Sequence, residues 1–331
     1  MSNEIPDTMR QLRIIAPGET TWEVAPTPRP AAGEVLVKVT GISSCPHWDL
    51  HILGGEPMFP GQQLDYPYFP GKPGHEAVGI VVARGDGVTD LSVGQTVVAW
   101  RDAGTNRPGF YAQFNAFPAE YLLPVPTELP AAQLASLELA MCVEVSFQRL
   151  AMLGGVKGKR VGIAGLGPAG LVALQLARYH GAAEVVGIDR VASRRELALN
   201  VGASETVDSD EGLWAANRGN DQALDMAIDC TGVPPAVKFL LHRTKEAVAL
   251  FGVVRGEIPY DGALMWGPGV TLLGYGDHNR LAAETALSAI AAAQLDLGVL
   301  ISATLPLSDY VSGVEMLRTQ QAIKVLFDPW A

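Results

Sequence analysis

The second half of the chain alternates short apolar runs with stretches of helical period, and one junction between them is rich in glycine. The run Arg160–Ala164 leads directly into GLGPAG at residues 165–170, and a helical stretch then extends to about His180, where Gly181 ends it. Apolar runs that alternate with helices are typical of parallel strands joined by crossover helices. We therefore predict a doubly wound α/β domain in this half.

The same alternation continues towards the C-terminus. Further strands are predicted at 184–188, 224–228 and 322–327, and further helices at 194–201 and 282–294. Ser193 and Glu196 have the spacing of a capping box, which predicts that the helix begins there. The strand near the end is expected to rejoin the first domain.

The first 150 residues are predicted to be rich in β-structure. Apolar runs at 34–40 and 77–83 are bounded by glycine or proline, which indicates strands joined by turns. A chain of 331 residues exceeds the usual size of one hydrophobic core. We predict a β-rich first domain over 1–150 that is completed by 290–331, and an α/β second domain over 151–289.

Composition excludes several classes of partner. The formal net charge is -11, and lysine and arginine form no sustained run, so nucleic acid and acidic membranes are poor partners. The N-terminal segment lacks a basic flank before an apolar stretch, and the apolar segment 281–307 contains Glu284 and Asp296, so we expect neither secretion nor membrane insertion. Three cysteines are too few for a disulfide framework. A cytoplasmic protein is predicted.

The glycine-rich turn is suited to a dinucleotide. Gly165 permits a tight turn, Gly167 lets a pyrophosphate approach the backbone, and Gly170 allows the strand and helix to pack closely. Pro168 and Ala169 complete the turn at the helix N-terminus, whose free N–H groups favour an anion. A glycine triplet alone is weak evidence, because such turns are common in α/β proteins.

Acidic and polar residues at the ends of neighbouring strands strengthen the nucleotide hypothesis. Asp189 follows a strand 19 residues after Gly170, where a carboxylate accepts hydrogen bonds from the ribose of NAD and repels a 2′-phosphate. Arg190, Arg194 and Arg195 could neutralise such a phosphate or belong to a solvated helix face, so NADP stays the less favoured alternative. Thr231 follows the strand 224–228 and is a further cofactor-contact candidate.

Three segments carry residues that bind transition metals. GISSCPHWDLH at 41–51 contains Cys45, PGHEAVGIV at 73–81 contains His75, and Cys142 precedes the nucleotide-binding half. Taken singly, each is more simply a small buried thiol or a structural histidine. Two thiolates and an imidazole together form a ligand set of catalytic zinc, which keeps a fourth position for water or substrate.

With these motifs in order, the chain resembles the zinc-containing medium-chain dehydrogenase/reductase family, which includes alcohol, sorbitol and threonine dehydrogenases. The resemblance covers nearly the whole length and implies a GroES-like β-rich catalytic domain followed by a Rossmann domain. It also implies one catalytic Zn²⁺ bound by Cys45, His75 and Cys142, with Glu76 as an alternating or water-mediated ligand. Asp49 would hold the ring N–H of His75.

The ending AIKVLF also resembles family segments, and by that match Lys324 would contact the cofactor pyrophosphate. Three departures stand out. The four cysteines of the family's structural zinc are missing. One extra residue lies between Cys45 and His51, which implies a one-residue bulge. Trp48 occupies the position that often carries a proton-relaying Ser or Thr, so His51 is the first choice for the proton exit, with Ser44 and His47 as alternatives.

The resemblance implies hydride transfer between a primary or secondary alcohol, or a polyol, and NAD. Two alternatives stay open: a zinc-free NADPH reductase of quinones or enoyl groups, and a catalytically silent nucleotide-binding protein. The aromatic residues could line a substrate pocket or belong to the core: Trp48, Trp100, Phe110, Tyr111 and Trp266. An edge strand near 270–274 could pair two copies in a homodimer or homotetramer.

Overall fold

The computed structural model describes residues 5–59, 61–104, 106–126, 128–210, 214, 217–258, 260–266 and 269–331. The chain divides into two compact units: unit 1 is Met1–Leu139 with Leu297–Ala331, and unit 2 is Ala140–Asp296. The boundaries predicted at 150 and 289 therefore differ from these by several residues. The two units are described separately.

The strands, in chain order, are β1 (Thr8–Ala16), β2 (Glu19–Pro26), β3 (Glu34–Ser43), β4 (Glu76–Arg84), β5 (Thr96–Ala99), β6 (Phe114–Pro118), β7 (Leu122–Pro124), β8 (Arg160–Ala164), β9 (Glu184–Ile188), β10 (Glu205–Val207), β11 (Leu224–Asp229), β12 (Thr244–Leu250), β13 (Thr271–Leu273), β14 (Ile301–Pro306) and β15 (Lys324–Asp328). The α-helices are α1 (Pro46–Gly54), α2 (Ala131–Leu134), α3 (Leu137–Ala151), α4 (Pro168–Tyr179), α5 (Ala192–Asn200), α6 (Pro234–Leu241), α7 (Arg280–Ala291) and α8 (Tyr310–Arg318). Within the described ranges, every helix is too short or too polar to cross a membrane.

Unit 1 is organised around a sheet with β3 at its centre. The strand order is β14-β15-β3-β4-β5-β7, and β6 also pairs with β3. Strand β3 is buried on both faces, since Val35 and Val37 pack in the main core and Leu36 packs in a smaller cluster. The C-terminal strand β15 runs antiparallel to β3, with Leu326 opposite Ser43. This pairing brings the end of the chain to the segment that precedes Cys45.

Unit 2 contains a parallel sheet with the order β10-β9-β8-β11-β12-β13 among its described strands. The first strand of this unit, β8, lies between β9 and β11, so the strand order reverses direction there. In open parallel sheets, ligands bind at the carboxyl ends of the strands beside this reversal. The predicted doubly wound α/β architecture is confirmed.

The helix ends show where a local pattern misleads. The capping box predicted at Ser193 and Glu196 is wrong: α5 begins at Ala192 after Val191, and no side chain caps it. The chain turns into the helix directly after Asp189, whose carboxylate accepts the N–H of Val191, so Ser193 already lies in the first turn. By contrast, α4 stops where Gly181 adopts a φ of 81°, as its sequence predicts.

Candidate metal and cofactor sites

Cys45 is held at the junction of β3 and α1. It is the residue before Pro46, which opens the helix, and its N–H donates to Asp49 Oδ2 at 2.8 Å. The extra residue between Cys45 and His51 is absorbed without the predicted bulge. Residues 46–54 form a regular helix, in which the N–H of Asp49 donates to the carbonyl of Cys45. The local fold therefore fixes the backbone that carries the thiol.

His75 is oriented by a backbone carbonyl. Its Nδ1 lies 2.7 Å from the carbonyl oxygen of Pro73, and because a carbonyl only accepts, Nδ1 carries the proton. The lone pair of Nε2 is then available for a metal. The predicted bond between Asp49 and the ring N–H of His75 is wrong. Asp49 is instead bonded by Cys45 and by two tyrosines, Tyr111 and Tyr310.

The structure brings part of the predicted ligand set together in unit 1. One ligand atom from each of Cys45, His75 and Glu76 lies within 4.8 Å of the others. His75 and Glu76 are buried, and Cys45 is partly exposed. A thiolate, an imidazole and a carboxylate are all ligands that Zn²⁺ accepts. The donor chemistry therefore fits a zinc ion.

Glu138 joins this cluster, although the sequence motifs did not single it out. Its Oε2 lies 3.7 Å from His75 Nε2, and its side chain is buried. Glu138 lies in the first turn of α3, four residues before Cys142. A glutamate one helical turn before a predicted metal ligand is the signal that could have identified it, because such residues share a helix face.

Glu76 is neutralised by a buried lysine. Lys324 Nζ lies 2.6 and 2.7 Å from the two carboxylate oxygens of Glu76 and donates to the carbonyl of Ser44 at 2.5 Å. The lysine side chain is 0% exposed, and these contacts use its ammonium donors. The prediction that Lys324 contacts the pyrophosphate is therefore contradicted, and we do not assign Lys324 to the cofactor.

The site in unit 1 is anionic. Burial disfavours a charged imidazole, but the hydrogen bond with Cys45 and the carboxylate of Glu138 raise the pKa of His75 well above its usual value. Burial also raises the pKa of Glu76, and the Lys324 ammonium opposes that rise. Surroundings that favour a proton on His75 would also favour a metal cation bound there.

Cys142 lies in unit 2, on the second turn of α3. The side chain is buried, and its Sγ is 3.4 Å from Nε2 of His278. His278 precedes α7, and its ring packs edge-on against Tyr275 at 5.8 Å. Cys142 therefore has an imidazole neighbour within its own unit, and the sequence motifs did not single out His278.

The three glycines of the predicted dinucleotide turn have different environments. Gly165 has a φ of 85°, a conformation that favours glycine. A Cβ added to Gly170 would lie 1.8 Å from the carbonyl oxygen of Gly165, so no side chain fits between turn and helix. A Cβ on Gly167 would meet nothing within 4 Å. The open backbone at Gly167, at the start of α4 with Pro168 and Ala169 in its first turn, fits a pyrophosphate.

Asp189 reaches the same turn from the end of β9. Its Oδ2 accepts the N–H of Leu166 at 2.8 Å, and Arg194 Nη1 lies 3.8 Å from that oxygen. Arg190, the next residue, is exposed. Thr231 lies against the turn as well, since a Cβ on Gly165 would meet its methyl group at 2.7 Å. These predicted cofactor residues therefore gather at one end of the sheet in unit 2.

The predicted proton-relay region lies on α1. Trp48 packs edge-on against His75, with 6.3 Å between ring centroids. His51 Nδ1 lies 3.2 Å from the carbonyl oxygen of Glu56, and its ring contacts that of His47 at 5.1 Å. Ser44 is fully buried, and its hydroxyl accepts the N–H of Val325. An indole has no acceptor, so Trp48 cannot receive a proton from an alcohol.

The remaining predicted aromatic residues have separate surroundings. Phe110 and Tyr111 belong to the core of unit 1, and Trp100 is buried with its indole N–H donating to the carbonyl of Glu120. Trp266 is 85% exposed. Of the predicted aromatic pocket, only Trp48 lies beside the metal-ligand cluster of unit 1.

Comparisons with known proteins agree with this fold. The Alcohol dehydrogenase GroES-like domain matches residues 31–127, and the Zinc-binding dehydrogenase domain matches residues 168–292. The L-threonine 3-dehydrogenase of Francisella philomiragia is 26% identical over 350 residues, which cover 94% of this chain and 96% of the relative.

Solved structures show the same architecture. A Sinorhizobium meliloti 1021 protein bound to NADP, provisionally described as a zinc-binding dehydrogenase, is 25% identical with a TM-score of 0.81, covering 98% of this chain and 100% of the other. An alcohol dehydrogenase of Escherichia coli CFT073 complexed with NADH is 19% identical with a TM-score of 0.84, again covering 98% and 100%.

The two-domain fold, with a thiol, imidazole and carboxylate cluster in one unit and a glycine-rich nucleotide turn in the other, defines an oxidoreductase that acts on CH–OH groups. The two matched domains cover more than half of the chain. The chain belongs to the zinc-containing medium-chain dehydrogenase/reductase family.

Proposed function

We propose that this protein is a zinc-dependent dehydrogenase that transfers hydride between a primary or secondary alcohol and NAD. The observation that carries the proposal is the cluster in unit 1, where Cys45, His75 and Glu76 present ligand atoms within 4.8 Å of one another. These three side chains offer ligand atoms that Zn²⁺ accepts, and the buried carboxylate of Glu138, 3.7 Å from His75, adds a negative charge that a cation would compensate.

Charge balance identifies which carboxylates are available. Glu76 is paired with Lys324, so that pair is neutral overall. A thiolate at Cys45 and one further anion then balance the two positive charges of Zn²⁺. Glu138, near His75, supplies that anion within unit 1, and Cys142 is the alternative from the next turn of α3. We propose Cys45 and His75 as fixed ligands, one of these two residues as the third, and Glu76 as an alternating ligand.

The chain's own residues prepare the chemistry. When bound, zinc supplies Lewis acidity towards the alcohol oxygen, and the nicotinamide supplies a hydride acceptor. Pro73 fixes the proton of His75 on Nδ1, which keeps Nε2 free as a ligand. Trp48 covers one edge of His75 with an apolar ring, which limits the access of water to that edge.

His51 is proposed as the group that accepts the alcohol proton on its way to solvent. It is partly exposed, lies two turns from Cys45 on α1, and has ring nitrogens that both accept and donate. His47 is exposed and in ring contact with His51, so a transfer between the two imidazoles is the natural continuation. Ser44 is buried and already hydrogen-bonded, which makes it a poorer candidate.

NAD is favoured over NADP by the charges around Asp189. The carboxylate of Asp189 stands at the strand end, and Arg194 is paired with it. Arg195 is paired with Asp208 at 3.0 Å and donates to the carbonyl of Asp189. Because these arginines are already balanced by acids, a 2′-phosphate would gain little from them. Asp189→Ser should raise the KM for NAD and lower that for NADP, and an unchanged ratio would contradict this assignment.

The central test combines metal analysis with a screen of alcohols. Wild-type protein should contain one Zn²⁺ per chain and reduce NAD with members of a panel of polyols, secondary alcohols and L-threonine, the last because a relative is named for it. Cys45→Ala and His75→Ala should lose both zinc and turnover. Cys230→Ala removes a thiol from unit 2 and serves as the control for zinc content. Retention of metal and turnover by either ligand variant would overturn the proposal.

The same measurements decide the third ligand and the two alternative functions. If Glu138 is the third ligand, Glu138→Gln should lose zinc and Cys142→Ala should retain it. If Cys142 is the third ligand, the two results should be reversed. A metal-free wild type that oxidises NADPH with quinones or enoyl compounds would favour the zinc-free reductase. NAD binding without turnover over the whole panel would favour the silent nucleotide-binding protein.

We also propose that two copies pair through unit 2. Strand β13 stands at the end of the sheet order, so one of its edges has no neighbouring strand among the described residues. Trp266, five residues before β13, is 85% exposed. Exposed edges and large apolar side chains are usually covered. Sedimentation should show a dimer or tetramer that Trp266→Glu weakens, and a monomeric wild type would contradict this proposal.

A further inference from the structure

A buried carboxylate, that of Asp49, is hydrogen-bonded to the backbone of Cys45. The carboxylate of Asp49 is fully buried and accepts hydrogen bonds from three donors. Tyr111 Oη donates to its two oxygens at 2.9 and 2.8 Å, Tyr310 Oη donates to Oδ1 at 2.9 Å, and the N–H of Cys45 donates to Oδ2 at 2.8 Å. One oxygen of Asp49 is thus shared between a phenol and the backbone of a proposed metal ligand.

The two phenols are anchored in different parts of the chain. Tyr310 opens α8, and Tyr111 belongs to the loop before β6. Both are buried, their rings pack together at 5.0 Å, and both contact the ring of Phe327 on β15. Three aromatic rings from distant segments therefore fix the direction in which the hydroxyl groups point.

Tyr111 is also tied to the segment that carries His75. Its N–H donates to the carbonyl of Gly71 at 3.0 Å, and the neighbouring N–H of Phe110 donates to the carbonyl of Gly74 at 2.8 Å. The two strands of backbone approach so closely that a Cβ on Gly71 would lie 2.3 Å from the carbonyl oxygen of Gly109. Residues 71–74 lead directly into His75. The loop that contains Tyr111 therefore contacts both Asp49, which bonds Cys45, and the segment that carries His75.

We propose that Tyr111 and Tyr310 are positioning residues of the metal site: their hydroxyl groups hold Asp49, and Asp49 holds the backbone of Cys45. The inference rests on the proposed function, because it concerns the zinc site. Neither phenol touches Cys45 Sγ or the ring of His75 through any hydrogen bond of the described residues. Their effect passes through Asp49. When a tyrosine hydroxyl is removed, the hydrogen bonds that remain no longer fix the orientation of the Asp49 carboxylate.

The test uses the metal-free protein reconstituted with Co²⁺, which reports a thiolate ligand through its charge-transfer absorption. Tyr111→Phe and Tyr310→Phe should each weaken Co²⁺ and Zn²⁺ binding by roughly ten- to hundredfold, as the loss of outer hydrogen bonds does at other metal sites. The charge-transfer band of Cys45 should also shift or broaden. Metal affinity is measured by competition with a chelator, and the Tm of each metal-free variant shows how much of the change comes from folding.

Tyr66→Phe is the matched control. The hydroxyl of Tyr66 donates to the carbonyl of Ile52 on the same helix, α1, but does not touch Asp49. It should leave metal affinity and the cobalt spectrum as in wild type. Tyr310→Phe is the milder of the two test variants, because Tyr111 still bonds both oxygens of Asp49. It therefore provides the measurement if Tyr111→Phe does not fold.

The outcomes separate this inference from the proposed function. Weaker binding and an altered cobalt spectrum in the Asp49-linked variants, with Tyr66→Phe unchanged, would support the positioning role. If the wild type binds one Co²⁺ through a thiolate and Tyr310→Phe matches it in affinity and spectrum, the inference is overturned and the zinc site stands. A wild type that binds no Co²⁺ would overturn the zinc site, and the positioning role with it.

Discussion

Two glycines of the dinucleotide turn allow stability and cofactor binding to be perturbed separately. In Gly170→Ala, the new Cβ would lie 1.8 Å from the carbonyl oxygen of Gly165 and 2.8 Å from its carbonyl carbon. Since a carbon and a carbonyl oxygen ordinarily lie about 3.3 Å apart at closest, the backbone must move by about 1.5 Å. Both of these atoms belong to the backbone of Gly165, so no side-chain rotation can relieve the clash.

The cost follows from packing and helix propensity. Overpacking costs up to about 3 kcal/mol, and the better helix propensity of alanine offsets about 1 kcal/mol of it. We therefore expect Gly170→Ala to lower the free energy of unfolding by about 2 kcal/mol, a fall in Tm of about 4–8 °C for a unit of this size. Differential scanning calorimetry measures this change.

Gly167→Ala is the matched substitution. Its Cβ would meet nothing within 4 Å, and the residue has an ordinary φ of -77° at the start of α4. The stability loss should stay below about 1 kcal/mol. The methyl group would, however, occupy the space in which we place the pyrophosphate, so NADH affinity should fall by at least about tenfold, or 1.4 kcal/mol. Fluorescence titration with NADH measures it.

Two results would refute this reasoning. A Gly170→Ala protein with the same Tm as the wild type would show that a Cβ fits between the turn and the helix, contrary to the structure. A Gly167→Ala protein that binds NADH as tightly as wild type would show that the dinucleotide does not approach the backbone at this turn.

Three further predictions concern unit 1. Lys324→Met should lower the free energy of unfolding, measured in urea, by about 3–5 kcal/mol, because it leaves Glu76 buried without its cation. Adding Glu76→Gln should recover most of the loss. An unchanged free energy of unfolding in the single variant would contradict the ion pair. Partial burial tends to raise the pKa of Glu34, but its hydrogen bond with Arg107 lowers that pKa below the ordinary 4.5. The ionised Glu34 therefore stabilises the folded protein above pH 4.5, and this stabilisation is lost as the pH falls through the lower pKa of the folded state. The difference in urea midpoint between wild type and Glu34→Gln should therefore shrink from pH 6 to pH 3, and a constant difference would count against it. His51→Ala should reduce kcat on the order of 100-fold with recovery in imidazole buffer, whereas a larger loss in His47→Ala would move the proton exit to that residue.

The local features of the chain were predictable because they depend on neighbouring residues. A strand followed by GLGPAG and a helix specifies its own turn, since Gly165 needs a positive φ and Gly170 has no space for a Cβ. The alternation of apolar runs and helical stretches likewise predicted the doubly wound sheet. Even so, the capping rule at Ser193 failed, because the contact from Asp189 to Val191 accompanies a helix that begins two residues before the predicted span.

The partners of the buried polar groups were decided only by the tertiary structure. The family pattern predicts that Asp49 bonds His75, yet Asp49 bonds Tyr111 and Tyr310, which lie 62 and 261 residues away. Lys324, which the family pattern places at the cofactor pyrophosphate, instead donates to Glu76, 248 residues away.

By itself, the sequence determined the alternation of strands and helices in the second half of the chain, the glycine turn and the types of metal-binding side chain, because these follow from local conformation and chemistry. Only the folded chain decided that Glu138 lies beside His75 and that Lys324 takes the charge of Glu76. The physical reason is that a buried charge or hydrogen-bond donor must find a partner. Which of the many groups serves is settled by the packing of segments that are far apart in the sequence.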